Sequence, residues 1–82
     1  MTKLDTPDYI DVTGLGGTTW AADLVMQDGR RLHCRTFEYG EIDAHGQWCG
    51  DDDELVAHAV EAVRASRIGS RYDIPDDIEV QL

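Results

Sequence analysis

The sequence is poor in positive charge. Seven Lys and Arg side chains stand against 17 Asp and Glu in 82 residues, which gives a formal net charge of −10 at neutral pH. Proteins that bind nucleic acid directly neutralise its phosphates with Lys and Arg, so this balance predicts no direct nucleic-acid partner. The surplus negative charge also repels itself and weakens a small domain. Solubility, life in high salt or a cationic partner would each explain why the surplus is kept.

Long apolar segments are missing and cysteines are few. No run approaches the roughly 20 apolar residues of a membrane span. Met1–Asp5 lacks the apolar stretch of an export signal, so we expect a cytoplasmic protein without membrane contact. The two cysteines, Cys34 and Cys49, are too few for a disulfide framework, and we expect both to be reduced thiols.

What is present fits one folded domain. Hydrophobic residues make up 41% of the chain, which is close to their share in globular proteins. A chain of 82 residues has room for a single core. We therefore expect one domain over residues 1–82, with residues 1–8 as a loose N-terminal arm.

Strand patterns dominate the first half of the chain. Tyr9–Thr13 alternates apolar and polar residues, and Gly14–Gly17 interrupts the pattern. Two longer runs then flank Asp28-Gly29, a pair that favours a two-residue hairpin turn. The cross-strand pairs expected from this turn are Gln27 with Arg30, Val25 with Leu32, Asp23 with Cys34 and Trp20 with Phe37. Both faces of this hairpin mix apolar and charged residues, so the pattern leaves open which face a helix covers.

The helix is the clearest element of the second half. Residues 52–67 carry apolar side chains at helical spacing. Asp51 is placed as the N-cap, and Glu54 completes a capping box with it. Arg64 falls in the last turn, and Gly69 fits the position just beyond the helix end. The predicted apolar stripe consists of Leu55, Val56, Ala59, Val60 and Val63.

Short strands flank the helix on both sides. Ile42–Ala44 and Gln47–Cys49 predict a small hairpin that turns at His45-Gly46. Ile78–Leu82 alternates strictly and predicts a last strand with its three apolar side chains inward. The order β-ββ-(β)-α-β predicts the α+β class, with an antiparallel sheet of three to five strands and one helix packed on one face.

Residues with catalytic or ligand chemistry are present, but their spacing argues against a site. No helix start or Lys follows Gly14–Gly17, so a glycine turn is favoured over a phosphate loop. Asp51–Glu54 lacks the spacing of a calcium loop. A metal or redox site would use Cys34, Cys49 and His45, and a cysteine nucleophile would use Cys49, His45 and Asp43. Four carboxylates near Cys49 disfavour its thiolate. We expect no enzyme, catalytic residue, metal or cofactor.

Acidic residues gather at two places in the chain. Four lie at the helix start and four lie within residues 73–79, and a helix of the predicted length would separate the two clusters by about 24 Å. Nearby arginines neutralise part of the second cluster. The predicted partner-binding residues are Asp51, Asp52, Asp53, Glu54, Asp76 and Asp77, with Trp48 as an aromatic anchor. A core role is the alternative for Trp48.

In size, acidity and lack of a catalytic motif, the chain resembles small phage-encoded inhibitors of the anti-CRISPR and DNA-mimic type. The resemblance covers bulk properties of the whole chain and no specific motif. It implies a non-enzymatic protein in the cytoplasm of a bacterial host cell, whose acidic face docks on a basic, nucleic-acid-handling surface of another protein and blocks it. The alternative is a structural or assembly module that forms a homodimer through a strand edge such as Ile78–Leu82.

Overall fold

The computed structural model describes residues 7–82 and contains two sheets and one α-helix. The elements are β1 (Pro7–Gly16), β2 (Thr19–Met26), β3 (Arg31–Glu38), β4 (Glu41–Ile42), β5 (Trp48–Cys49), α1 (Asp52–Ala65), a 3₁₀ helix (Gly69–Arg71) and β6 (Glu79–Gln81). The predicted α+β class is confirmed. Residues 1–6 of the expected N-terminal arm lie outside the described residues, whereas Pro7 and Asp8 belong to β1.

The main sheet has the strand order β3-β2-β1-β6, and it is mixed. β1, β2 and β3 are antiparallel neighbours, but β6 pairs parallel to β1 from Tyr9–Glu79 to Asp11–Gln81. The prediction of a wholly antiparallel sheet is therefore wrong at this edge. β3 and β1 point the same way, and a helical crossover returns the chain to the end from which it started, so the next strand is parallel.

The hairpin between β2 and β3 turns on three residues rather than two. The backbone N–H of Met26 donates to the carbonyl of Arg30 at 2.8 Å, so Gln27, Asp28 and Gly29 form the loop. Gly29 has a φ of 91°, a left-handed conformation that suits this longer loop. The expected Gln27–Arg30 pair is therefore replaced by Met26–Arg30.

A β-bulge at Cys34 restores the predicted register farther along β3. Asp23 pairs with His33, but Ala22 pairs with Arg35, so Cys34 is the extra residue. Trp20 still faces Phe37 as predicted, whereas the expected pairs Val25–Leu32 and Asp23–Cys34 are wrong. The pairs formed on the turn side of the bulge are Asp23–His33, Leu24–Leu32 and Val25–Arg31. Because the bulge changes the alternation by one residue, Leu32 and Phe37 both pack against the core.

The helix packs on the face of the sheet that carries Trp20, Ala22, Leu24 and Met26. The sequence left the choice of face open, and the structure identifies this one. The core cluster consists of Ile10, Val12, Ala22, Leu24, Met26, Ala59, Val63 and Ile74. On α1 the buried residues are Leu55, Ala59, Ala62 and Val63, so Ala62 replaces the half-buried Val56 and Val60 of the predicted stripe.

The end of the helix differs from the prediction. α1 ends at Ala65 with Ser66 as its C-cap, and Gly69 lies in the following 3₁₀ helix without a positive φ. A Cβ at Gly69 would lie 1.8 Å from the carbonyl oxygen of Val63. Gly69 is therefore required by a close backbone approach, and its predicted role as a left-handed helix terminator is wrong.

Strand boundaries also differ at both ends of the chain. β1 continues through Gly14 to Gly16, and the glycines close a hairpin with β2 as the predicted turn requires. β6 is shorter than the predicted last strand, and Leu82, expected inward, is 58% exposed. The small hairpin of β4 and β5 is confirmed, with Gly46 at a φ of 80°. Within residues 7–82, no helix is long and apolar enough to cross a bilayer.

Candidate interaction surface at the start of the helix

The N-terminus of α1 is organised by Asp51. Its Oδ1 accepts hydrogen bonds from the backbone N–H of Asp53 at 2.8 Å and of Glu54 at 3.4 Å. Two N–H groups that the helix cannot satisfy internally are thereby paired. The predicted N-cap is confirmed.

The predicted capping box is replaced by a tyrosine bridge. The hydroxyl of Tyr39 donates to Glu54 Oε2 at 2.6 Å and accepts from the backbone N–H of Asp51 at 3.1 Å. Glu54 therefore reaches the N-cap residue only through this hydroxyl. The hydrogen bond to the Glu54 carboxylate is the main reason that the pKa of Tyr39 is raised. Tyr39 was not predicted as a site residue, because its contact to the helix start depends on the tertiary fold.

Two tryptophans hold the backbone of Tyr39 in place beside the start of the helix. The indole N–H groups of Trp20 and Trp48 both donate to the carbonyl of Tyr39, at 3.1 Å and 2.9 Å. The two indole rings meet edge to face with centroids 5.2 Å apart. Gly40 and Gly50 leave the space that the Trp48 ring fills, since a Cβ at either would lie under 3 Å from it. Trp48 is thus half-buried in packing, and its role as a partner anchor stays a prediction.

We use the name acidic patch for Asp51, Asp52, Asp53 and Glu54. All four residues are exposed. Asp51 and Glu54 are hydrogen-bonded to backbone and tyrosine groups, as described above. Within residues 7–82, the carboxylates of Asp52 and Asp53 make no hydrogen bond or ion pair. No described arginine forms a salt bridge with any member of the acidic patch.

The second acidic cluster lies at the other end of α1 and is partly neutralised. Arg64, in the last helical turn, donates to Asp76 Oδ1 at 2.6 Å and to the carbonyl of Ile74 at 2.7 Å. Asp77 is exposed and makes no polar side-chain contact among the described residues. The 14 residues of α1 separate the two clusters by about 21 Å. The structure does not bring the predicted binding residues into one continuous surface.

The face of the sheet opposite the helix holds a charged cluster that the sequence did not predict. Arg31 donates to Asp11 Oδ2 at 2.6 Å and to Asp23 Oδ2 at 3.2 Å. The Nδ1 atom of His33 lies 2.8 Å from Asp23 Oδ1. Hydrogen bonds to Asp11 and then Asp23 raise the pKa of Arg31. The three-residue turn accounts for this cluster, because it shifts the pairing between the turn and the bulge and so places Arg31 and His33 on the face opposite the helix.

The cysteine and histidine residues do not assemble a reactive centre. Burial raises the pKa of the half-buried Cys34, whereas Cys49 is exposed and its thiol lies 3.7 Å from Asp43 Oδ2. Asp43 accepts from the backbone N–H of His45 and Gln47, so it shapes the small hairpin and does not orient the His45 ring. Among residues 7–82, no group of three or more potential ligands could hold a metal ion.

Comparison of the chain with protein-family models, with curated proteins and with solved structures finds no match.

Proposed function

We propose that this protein is a non-enzymatic binding protein whose acidic patch docks on a basic, nucleic-acid-handling surface of a partner protein and blocks it. The observation that carries the proposal is the state of the acidic patch: four exposed carboxylates in consecutive residues, none of them paired with a described arginine. Basic grooves that hold phosphates attract such a surface over a distance, and the attraction speeds the encounter. In size and acidity this would be an inhibitor of the anti-CRISPR or DNA-mimic type.

A rigid support favours the proposal. A charged surface binds with less loss of entropy when its side chains are already held in position. The Asp51 cap, the Tyr39 bridge and the two tryptophans fix the backbone of the patch. Asp52 and Asp53 remain available for a cation from a partner, and the second cluster at Asp76 and Asp77 would add a weaker contact.

The proposal is tested by affinity capture followed by competition. The protein is immobilised, a bacterial lysate is applied, and bound proteins are eluted with a salt gradient and identified by mass spectrometry. A captured nucleic-acid-binding protein is then purified. Its affinity for a labelled duplex is measured by fluorescence anisotropy with and without this protein. We expect competition that weakens steeply with salt, because exposed charges more than about 10 Å apart are screened at 0.1 M salt.

Two charge-reversed variants decide which surface is used. Asp52→Lys with Asp53→Lys changes the net charge from −10 to −6 and spares the N-cap and the tyrosine bridge. Asp8→Lys with Glu61→Lys makes the same change on two exposed residues, one in β1 and one in α1 outside both acidic clusters. We expect competition to be lost in the first variant and kept in the second. Equal loss in both variants, or full competition by the first, would contradict the proposal.

A further inference from the structure

In the part of the chain that the structure describes, the main sheet has a long edge at β3 with no further strand beside it. The other edge, β6, has only three residues and contains most of the segment named in the sequence-based dimer hypothesis. β3 has eight residues, and within residues 7–82 it pairs only with β2. An exposed strand edge of this length offers unpaired backbone groups to another strand.

The backbone groups that β3 turns outward follow from its bonds to β2. The carbonyl of Arg30 accepts from Met26, and the N–H of Tyr39 donates to the carbonyl of Thr18. Backbone groups of an antiparallel strand alternate between its two sides. Counting from Arg30, Arg31 and His33 turn outward. Counting back from Tyr39, Glu38 and Thr36 turn outward.

We propose that two copies of the chain pair through β3, antiparallel, about a two-fold axis perpendicular to the sheet. The axis passes between Cys34 and Arg35. This register makes every outward-facing residue meet another outward-facing residue, so hydrogen bonds form on both sides of the axis. The aligned residues of the two copies are Arg31 with Glu38, His33 with Thr36, Leu32 with Phe37, and Cys34 with Arg35. The bulge at Cys34 falls at the axis, between the two sets of hydrogen-bonded pairs.

Side chains match in the same register. Leu32 and Phe37 both pack toward the helix in each copy, so their pairing extends the apolar layer across the seam. Arg31 and Glu38 pair in the sheet with Val25 and Thr19, on the opposite face from the helix. Their alignment sets opposite charges across from each other twice in the dimer, with Arg31 also bound to Asp11 and Asp23 of its own copy.

A groove between β3 and α1 leaves room for the second copy beside the helix. The groove has a volume of about 780 Å³, and its lining includes Phe37 and two opposite charges that make no ion pair among the described residues, Arg35 and Glu61. In a chain of net charge −10 this is a locally balanced surface. In the dimer, the two-fold axis places the groove of the second copy beside the groove of the first, running in the opposite direction. The cation in each groove therefore lies near the anion in the other. This dimer does not depend on the proposed function, because the acidic patch lies outside β3.

The experiment measures mass and backbone protection of the full chain. Sedimentation equilibrium is run up to about 1 mM protein in about 0.5 M salt, where the repulsion between two acidic copies is screened. We expect the mass to rise toward twice the 9.2 kDa of one chain. Over the same range, hydrogen exchange by NMR should show new protection at the amides of Arg31, His33, Thr36 and Glu38.

Variants at Thr36 and Glu38 test the register. Thr36→Pro removes an outward N–H and leaves the bonds to β2 intact, and Thr36→Val is its control because it keeps the N–H. Glu38→Arg sets like charges opposite each other. We expect Thr36→Pro to abolish the dimer, Thr36→Val to keep it, and Glu38→Arg to weaken it at least about tenfold. Circular dichroism checks folding, and Glu38→Arg decides if Thr36→Pro does not fold.

Three results would overturn the inference. The first is a single-chain mass up to the highest concentration, which would leave β3 free or reserve it for a strand of another protein. The second is a dimer that forms without new protection of the four amides. The third is a dimer that survives both Thr36→Pro and Glu38→Arg but is lost on Val80→Pro, which would move the interface to β6.

Discussion

Replacing Gly69 with alanine should destabilise the protein more than any conformational preference of glycine would suggest. Its φ is not positive, so the cost does not come from a left-handed backbone. It comes from space, because the added Cβ would lie 1.8 Å from the Val63 carbonyl oxygen and 2.8 Å from Ser66 Oγ. Contacts under 3.0 Å are essentially never seen for a real Cβ. The 3₁₀ helix must therefore move by more than 1 Å, as the difference between 3.0 and 1.8 Å shows.

Movement of the 3₁₀ helix has a definite cost. It strains two hydrogen bonds to Ser66, from Gly69 N–H at 2.8 Å and from Ser70 N–H at 3.0 Å. Overpacking costs about 1–3 kcal/mol, and each hydrogen bond adds about 1 kcal/mol. We expect a loss of at least about 3 kcal/mol, or roughly 12–24 °C in Tm for a domain of this size. Thermal and urea unfolding followed by circular dichroism measure it.

Two further glycine variants make the test specific. Gly14 has no positive φ, and a Cβ added there would lie 3.4 Å from the nearest atom of the Trp20 ring. Gly14→Ala should therefore change the free energy of unfolding by less than about 1 kcal/mol. Gly69→Asn distinguishes two reasons for a glycine at this position, a left-handed helix terminator and a close backbone approach. A left-handed helix terminator tolerates asparagine better than alanine. If glycine is required because the Val63 carbonyl lies so close, Gly69→Asn should destabilise the protein at least as much as Gly69→Ala. A Gly69→Asn protein as stable as the wild type would refute the reasoning.

Two other predictions follow from the small hairpin and the core. Cys49 is exposed and Cys34 is half-buried with a raised pKa, so a thiol reagent should modify Cys49 faster than Cys34 in the folded protein, and equal rates would contradict the structure. Hydrogen bonds from the backbone of Gln47, and then of His45, lower the pKa of Asp43 below its ordinary 3.8. Asp43 therefore stabilises the hairpin above that pH, and the contribution is lost as the pH falls through the lowered pKa. Asp43→Asn should flatten the acid transition seen in tryptophan fluorescence, and an unchanged transition would exclude this role.

Local signals predicted the elements of this fold well. The helix start at Asp51 and the small hairpin around Gly46 were read correctly because each depends on residues close in sequence. N-caps and glycine turns satisfy backbone groups within a few positions, so the sequence states them directly. The mixed sheet was not predicted, because the direction of β6 depends on how the crossover packs and not on its own alternation.

The register of the main hairpin shows why pairing is harder to predict than strands. A three-residue turn and the bulge at Cys34 shift the pairing by one residue in opposite senses, so the pairing departs from the simple register between the turn and the bulge and agrees with it beyond the bulge. Leu32 and Phe37 are five positions apart, and regular alternation would put them on opposite faces. Both side chains pack against the core, and the bulge between them makes this compatible with their spacing.

The sequence predicted the candidate site as a set of charged residues. The structure adds the aromatic residues that support the backbone at the start of the helix. Tyr39 joins β3 to the helix start across 15 residues, a contact that no local pattern contains. Trp48 lies beside the patch as expected, but its ring is used to hold Tyr39. Pairing of Asp76 with Arg64 was foreseen only as partial neutralisation by nearby arginines.

The fold needs some of the acidic residues and leaves others unexplained. Asp51 caps the helix, and Asp11 and Asp23 bind Arg31, so folding accounts for them. Asp52 and Asp53 make no polar side-chain contact within residues 7–82. The helix dipole stabilises each carboxylate by only about 0.3–1 kcal/mol. That gain is offset by repulsion within the patch and from a chain of net charge −10. Under the proposed function, the basic surface of the partner would supply the cations that Asp52 and Asp53 lack within residues 7–82.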